Sequence, residues 1–145
     1  MILEDESATT KLGAALARRL KTGDVVTLSG DLGAGKTTLV RGLLEALGHG
    51  GEVPSPSFAI VQPYEELDPP VWHVDLYRIE DRAELAELGL ESAAADGVLI
   101  LEWPERAGRD AWPGALRLSL AIEDERRRCL TAEVPAAWEG RWPPR

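Results

Sequence analysis

The sequence contains no asparagine, one cysteine, one methionine, one phenylalanine and only three lysines among 145 residues. Each shortage excludes something. A lone Cys129 cannot close an intrachain disulfide, and one cysteine with two histidines leaves too few ligands for an ordinary zinc cage. No apolar run approaches the ~20 residues of a membrane-spanning helix. The first six residues, Met1-Ile2-Leu3-Glu4-Asp5-Glu6, are acidic and lack the basic-then-apolar order of a signal peptide, so a cytoplasmic location is expected. Basic residues are also short: 16 Lys and Arg stand against 25 Asp and Glu, a net charge of −9. A domain that grips nucleic acid through its own surface needs clustered cations. The one basic run, Arg126-Arg127-Arg128, is balanced by Glu123-Asp124-Glu125 just before it. If the protein serves RNA chemistry, a partner is expected to hold the RNA.

What remains is a chain whose 44% hydrophobic content can bury an ordinary core, with no internal repeat and no low-complexity linker. One domain over 1–135 and an irregular tail over 136–145 are expected. Leu12, Leu16 and Leu20 recur every four residues behind Ser7, a plausible N-cap, with Gly23 as a stop, and predict a first helix. Val25-Val26-Thr27-Leu28 is a short β-rich run leading into a glycine loop. Residues 36–47 then place Leu39, Leu43 and Leu47 on one helical face before Gly48. Segments 58–64 and 71–77 read as strands of a long hairpin, and 81–88 and 91–95 as helices broken at Gly89. Val98-Leu99-Ile100-Leu101 is continuously apolar, as a strand buried on both faces should be. Leu116–Ile122 and 129–134 flank a charged turn and predict a terminal hairpin. The expected class is α/β, with a parallel core, antiparallel additions and helices on both faces of a mixed sheet.

The glycine loop carries the chemistry. Gly30-Asp31-Leu32-Gly33-Ala34-Gly35-Lys36-Thr37 fits the phosphate-binding P-loop pattern at every fixed position, and Thr38 follows. Glycines let backbone N–H groups turn inward around phosphates where a Cβ would obstruct them. Lys36 is expected to reach the β- and γ-phosphates and Thr37 to place its hydroxyl on Mg²⁺, with the helix start pointing its positive end at the anion. The bland alternative is a glycine turn between strand and helix. Here the missing asparagine matters: the N-K-x-D element by which most P-loop GTPases read guanine is impossible, so ATP is the expected nucleotide.

Three other segments offer partners. The apolar run ends in Glu102, an acidic residue where a P-loop protein holds Mg²⁺ or orients water; it could equally be an ordinary strand-end carboxylate. In His73-Val74-Asp75-Leu76-Tyr77-Arg78 the alternation puts His73, Asp75 and Tyr77 on one strand face. That face is either the wet side of an edge strand or a catalytic one on which Asp75 orients the attacking water. In Ser55-Pro56-Ser57-Phe58 the hydroxyls sit on a proline-stiffened loop and could sense a γ-phosphate as switch segments do, or form a plain turn.

Taken in order, G-D-L-G-A-G-K-T-T, S-P-S-F, H-V-D-L-Y-R and L-E-W-P-E resemble the TsaE (YjeE) family. That is the small bacterial ATPase of the tRNA threonylcarbamoyladenosine pathway. The resemblance covers roughly residues 4–105 and reaches the terminal hairpin only in outline. It implies a single P-loop domain that binds ATP and Mg²⁺ and hydrolyses ATP weakly alone. It also implies the partners TsaB and TsaD, which transfer the threonylcarbamoyl group to the adenosine beside the tRNA anticodon. By motif, the resemblance gives phosphate binding to Gly33, Ala34, Gly35, Lys36, Thr37 and Thr38, and Mg²⁺ to Thr37 and Glu102. Asp75 falls at the family's catalytic aspartate, acting with Lys36 and Glu102, and Ser57 at its switch hydroxyl, where threonine is usual. Thr9 matches a position near the nucleotide base, Trp103 follows the acidic strand end, and an arginine of the last hairpin, Arg127, is aligned toward the nucleotide. Two other readings compete. A small-molecule kinase could use the same loop, with Arg78, Arg82, Arg106 and Arg109 around an acceptor, although the chain has little spare length for a lid. A scaffold could bind nucleotide without turning it over.

Overall fold

The structure is a computed structural model, and it describes residues 1–54, 60–107 and 111–144. Seven strands form one sheet: β1 (Ile2–Leu3), β2 (Val25–Ser29), β3 (Val61–Tyr64), β4 (Val71–Asp75), β5 (Val98–Glu102), β6 (Leu116–Ile122) and β7 (Arg128–Glu133). Their order across the sheet is β1-β7-β6-β2-β5-β4-β3. The four central strands β6, β2, β5 and β4 run parallel; β7 and β3 flank them antiparallel, and β1 pairs antiparallel with β7, which returns it to the core direction. A parallel core buried on both faces explains the apolar β5, every residue of which is buried.

Four helices complete the fold: α1 (Glu6–Ala17), α2 (Lys36–Ala46), α3 (Arg82–Glu87) and α4 (Leu90–Asp96). Leu12, Leu16, Leu39, Leu43 and Leu44 share one core with Val26, Leu28, Ile100, Leu118 and Leu130, which puts α1 and α2 on one face of the sheet. Leu85, Leu88 and Leu90 pack with Val74, Leu99 and Leu101 on the other face. Two glycines fix how closely α1 and α2 approach. A Cβ on Gly13 would lie 2.1 Å from the Leu39 carbonyl oxygen, and one on Gly42 would lie 2.3 Å from that of Thr10. No side chain fits at either crossing, so α1 lies directly against the helix that opens at Lys36.

The expected elements are present, with shifted ends. The first helix is capped by Asp5, not Ser7: Asp5 is extended and its carboxylate accepts from Ala8 N at 2.8 Å. A carboxylate one turn earlier serves the same exposed N–H groups, and such a cap contributes about 1 kcal/mol. The helix ends at Ala17, so Leu20 is buried from the loop that follows. The strand expected at 71–77 ends at Asp75, and β4 lies between β5 and β3, which removes the reading of its polar face as the wet side of an edge. Residues 58 and 59 of the expected hairpin lie outside the described residues.

Beyond Pro135 the chain is not merely irregular. A 3-10 turn at Ala136–Trp138 drives Trp138 into the main core, where it is 1% exposed. Arg141 stacks on that indole, 3.9 Å from its centroid, and donates to both carboxylate oxygens of Asp24 at 2.7 and 3.1 Å. Among the described residues no helix is long and apolar enough to cross a membrane.

Candidate functional site

The site is built where β2 gives way to α2. Gly30, Gly33 and Gly35 all have positive φ, at 145°, 81° and 105°, backbone that side chains rarely adopt. At Gly30 space is short as well: a Cβ would sit 2.5 Å from the Leu120 carbonyl oxygen of β6. Gly35 serves as the N-cap of α2 with no side-chain hydrogen bond. Ala34 is fully buried and anchors the middle of the loop, while Leu32 at its tip is exposed. This is a loop that turns backbone inward at a helix N-terminus, the arrangement that receives phosphate.

Lys36 supplies the charge. Its side chain is buried, its ammonium donates to the Gly30 carbonyl at 2.7 Å, and it lies 4.0 Å from the Trp103 ring centroid. Among the described residues no carboxylate pairs with it. A buried cation is costly unless an anion compensates it. Trp103 holds its place under Lys36 at a backbone cost, with φ at 58°, and its ring packs on Tyr77 at 5.0 Å between centroids.

Two carboxylates stand beside the loop. Glu102 pairs in register with Leu28 of β2 on one side and Asp75 of β4 on the other. Adjacent parallel strands thus deliver both acids to one face at their C-terminal ends, where open α/β sheets bind ligands. Glu102 is 4% and Asp75 7% exposed, too buried for ordinary solvated strand ends. Asp75 Oδ1 accepts from Tyr77 N at 2.9 Å, which fixes the turn leaving β4. Tyr77 itself lies past the strand and is half exposed, so the expected trio on one strand face reduces to His73 and Asp75. His73 is fully buried, and its Nε2 meets Glu102 Oε2 at 2.5 Å.

The hydroxyls of Thr37 and Thr38 have no protein partner among the described residues and both side chains are half-buried. Thr38 lines a cavity of about 430 Å³ with Gly33, Gly35, Thr9, Asp5, Glu6, Glu125, Arg126 and Arg128. The close α1–α2 crossing places Thr9 in this cavity beside the loop. Arg127 is not part of this cavity: its guanidinium points to Glu4 at 3.1 Å. Arg128 takes the position instead, donating to the Gly33 carbonyl at 3.2 Å. The signal for this was in the strand period. Leu130 is buried on the α1–α2 face, so Arg128, two residues earlier in β7, shares that face, whereas Arg127 lies in the turn before the strand. Ser57 lies outside the described residues.

These residues fit ATP and Mg²⁺. The glycine turn leaves room where Cβ atoms would stand, and among the described residues Lys36 is a cation without a carboxylate.

Fold and loop together define an α/β domain of the P-loop class. Residues 3–130 match the family model described as "Threonylcarbamoyl adenosine biosynthesis protein TsaE". The chain is 36% identical over 129 residues to a tRNA threonylcarbamoyladenosine biosynthesis protein TsaE of Rickettsia felis, covering 88% of this chain and 75% of that protein. It is 42% identical over 132 residues to the protein of that name in Bacillus subtilis, covering 89% and 80%. A crystal structure of Bacillus subtilis YdiB superposes with a TM-score of 0.80 at 29% identity, covering 97% of this chain and 88% of that one. The chain belongs to the TsaE family.

Proposed function

We propose that the chain is a Mg²⁺-dependent ATPase of tRNA threonylcarbamoyladenosine biosynthesis, weakly active alone and stimulated by TsaB and TsaD. The observation that carries this reading is Lys36, a buried ammonium with no carboxylate partner among the described residues, set in a glycine turn beside two buried acids. The family supplies the pathway, and the net charge of −9 supports contact with tRNA only through partners. A cytoplasmic location follows from that role.

In this reading the backbone N–H groups of the loop and the Lys36 ammonium hold the phosphates, and Lys36 leaves Gly30 to do so. Thr37 and Glu102 hold Mg²⁺, which neutralises phosphate charge when bound. Asp75 orients the attacking water and accepts its proton. Thr9 and Arg128 border the remainder of the nucleotide in the neighbouring cavity.

The test is ATP turnover by the purified protein with and without TsaB and TsaD. Strong stimulation by both is expected. High turnover alone, or stoichiometric transfer of labelled phosphate to a metabolite, would replace this reading with the kinase one.

A further inference from the structure

His73 has no part in the function just described, yet it is among the most completely enclosed polar side chains in the molecule. It is 0% exposed, and its Nδ1 is one of three buried side-chain polar atoms without a hydrogen-bond partner among the described residues. Among the described residues its one side-chain polar contact is Nε2 to Glu102 Oε2 at 2.5 Å. A core histidine kept for packing would ordinarily satisfy both ring nitrogens or be replaced by an apolar residue. This one satisfies a single nitrogen, and spends it on the acid at the end of β5.

We propose that His73 is a positioning residue that locks the Glu102 carboxylate into the orientation in which it binds Mg²⁺. The inference rests on the metal role of Glu102 given above. The carboxylate accepts, so the proton belongs on Nε2 and Nδ1 is left as a bare lone pair, less costly to bury than an unpaired N–H. With Oε2 occupied by His73, Oε1 has no protein partner among the described residues. It is also absent from the fully buried unpaired atoms, so it reaches solvent. One oxygen is held and the other presented. The strand geometry makes this possible: His73 lies two residues before Asp75, the register partner of Glu102, so the ring reaches Glu102 on the diagonal of the same face. Outer partners of metal-binding side chains act in this way, and removing them weakens metal binding about 10- to 100-fold.

The test uses the full chain in excess over a fluorescent, non-hydrolysable ATP analogue, into which Mg²⁺ is titrated to find its half-saturating concentration. Three variants are compared with the parent. His73→Leu removes the donor. His73→Asn keeps polarity, but its amide falls at the Nδ1 position, short of Glu102. His73→Gln returns an amide N–H to the Nε2 position. Half-saturation is expected to need ~10-fold more Mg²⁺ in the Leu and Asn variants and to recover in the Gln variant. Affinity for the analogue in EDTA should be unchanged throughout. Equal behaviour of Asn and Gln, whether both match the parent or both fail, overturns the proposal even if the Leu variant does not fold. Glu102→Ala separates the two levels of inference. If it leaves the Mg²⁺ requirement unchanged, the metal role of Glu102 fails and this proposal with it. If it raises the requirement while His73→Asn does not, only the role of His73 fails.

Discussion

Among the described residues two cations stack on tryptophan rings, Lys36 buried and Arg141 partly buried, and they differ in one respect. Lys36 lies 4.0 Å from the Trp103 centroid, and among the described residues the Gly30 carbonyl is its one side-chain hydrogen-bond partner. Arg141 lies 3.9 Å from the Trp138 centroid and is fully compensated, gripping both oxygens of Asp24 and the carbonyls of Arg19 and Ala137 at 2.8 Å. Both gain from the aromatic face, about 0.5–2 kcal/mol each. Among the described residues only Arg141 of the two is matched by a carboxylate. The satisfied cation fastens the chain's end to its core. In the proposed function the other one meets an anion from outside. Burial and stacking alone do not distinguish a structural charge from a functional one; the missing partner does.

The largest effect is expected on the structural side. Arg141→Ala leaves Asp24, 8% exposed, as a buried carboxylate without its partner, at a cost of about 3–5 kcal/mol in urea denaturation. ATP affinity of the folded protein should not change. Loss of nucleotide binding with stability intact would abolish the contrast.

Next come the two site residues. Asp75→Ala should reduce turnover about 100-fold or more while leaving ATP affinity within ~3-fold, as removal of a general base does. Single-turnover kinetics with calorimetric binding checks this, and an equal loss of binding would make Asp75 a ligand-holding residue. Lys36→Ala should weaken ATP binding at least ~100-fold, the loss of a charge-assisted contact worth about 2.7 kcal/mol. Since it also removes an unpaired buried charge, its melting temperature should equal or exceed that of the parent. A fall in stability like that of Arg141→Ala would show that Lys36, too, is structural.

The same contrast explains what the sequence made legible. The P-loop is written in residues that have few other uses: glycines with φ of 145°, 81° and 105°, and a lysine at a set distance from them. Local backbone demands select those residue types, so the pattern is readable without tertiary structure. The acids at 75 and 102 were readable as strand ends, but their adjacency depended on β4 and β5 being neighbours, which no local pattern states. The link from His73 to Glu102 and the pairing of Arg141 with Asp24 span 29 and 117 residues. Such contacts follow from topology, and charged residues in a polar tail look the same whether they are solvated or buried. Asp5 as the first cap was missed because Ser7 is an equally good cap in isolation.

A smaller effect tests the hairpin that borders the cavity. Arg128→Ala should weaken ATP binding about 5-fold, near 1 kcal/mol for one partly exposed hydrogen-bonding group, and Arg127→Ala should leave it unchanged. Equal losses would return the assignment to charge in general and remove the argument from the Gly33 contact of Arg128.

The smallest effect lies in the turn that aims these arginines. Asp124 Oδ1 accepts from Arg127 N at 2.7 Å and from Arg126 N at 2.8 Å, while Arg128 donates to the Asp124 carbonyl at 2.9 Å. The two backbone N–H groups, with the nearby guanidinium charges, hold the Asp124 carboxyl below its ordinary value of 3.8. A group whose folded value is depressed stabilises the fold fully above its unfolded value, and that contribution is lost as pH falls through the folded one. The turn should therefore be intact at neutral pH and loosen only below about pH 4. NMR is the direct measurement: the amide signals of Arg126 and Arg127 should titrate together, with a midpoint below 3.8. In Asp124→Ala that titration should vanish, and ATP affinity should fall by no more than about 2-fold, since the exposed turn positions Arg128 without itself touching the loop. A midpoint at or above the ordinary value would mean that the N–H groups are not bound in solution, and the placement of Arg128 beside Gly33 would then need another cause.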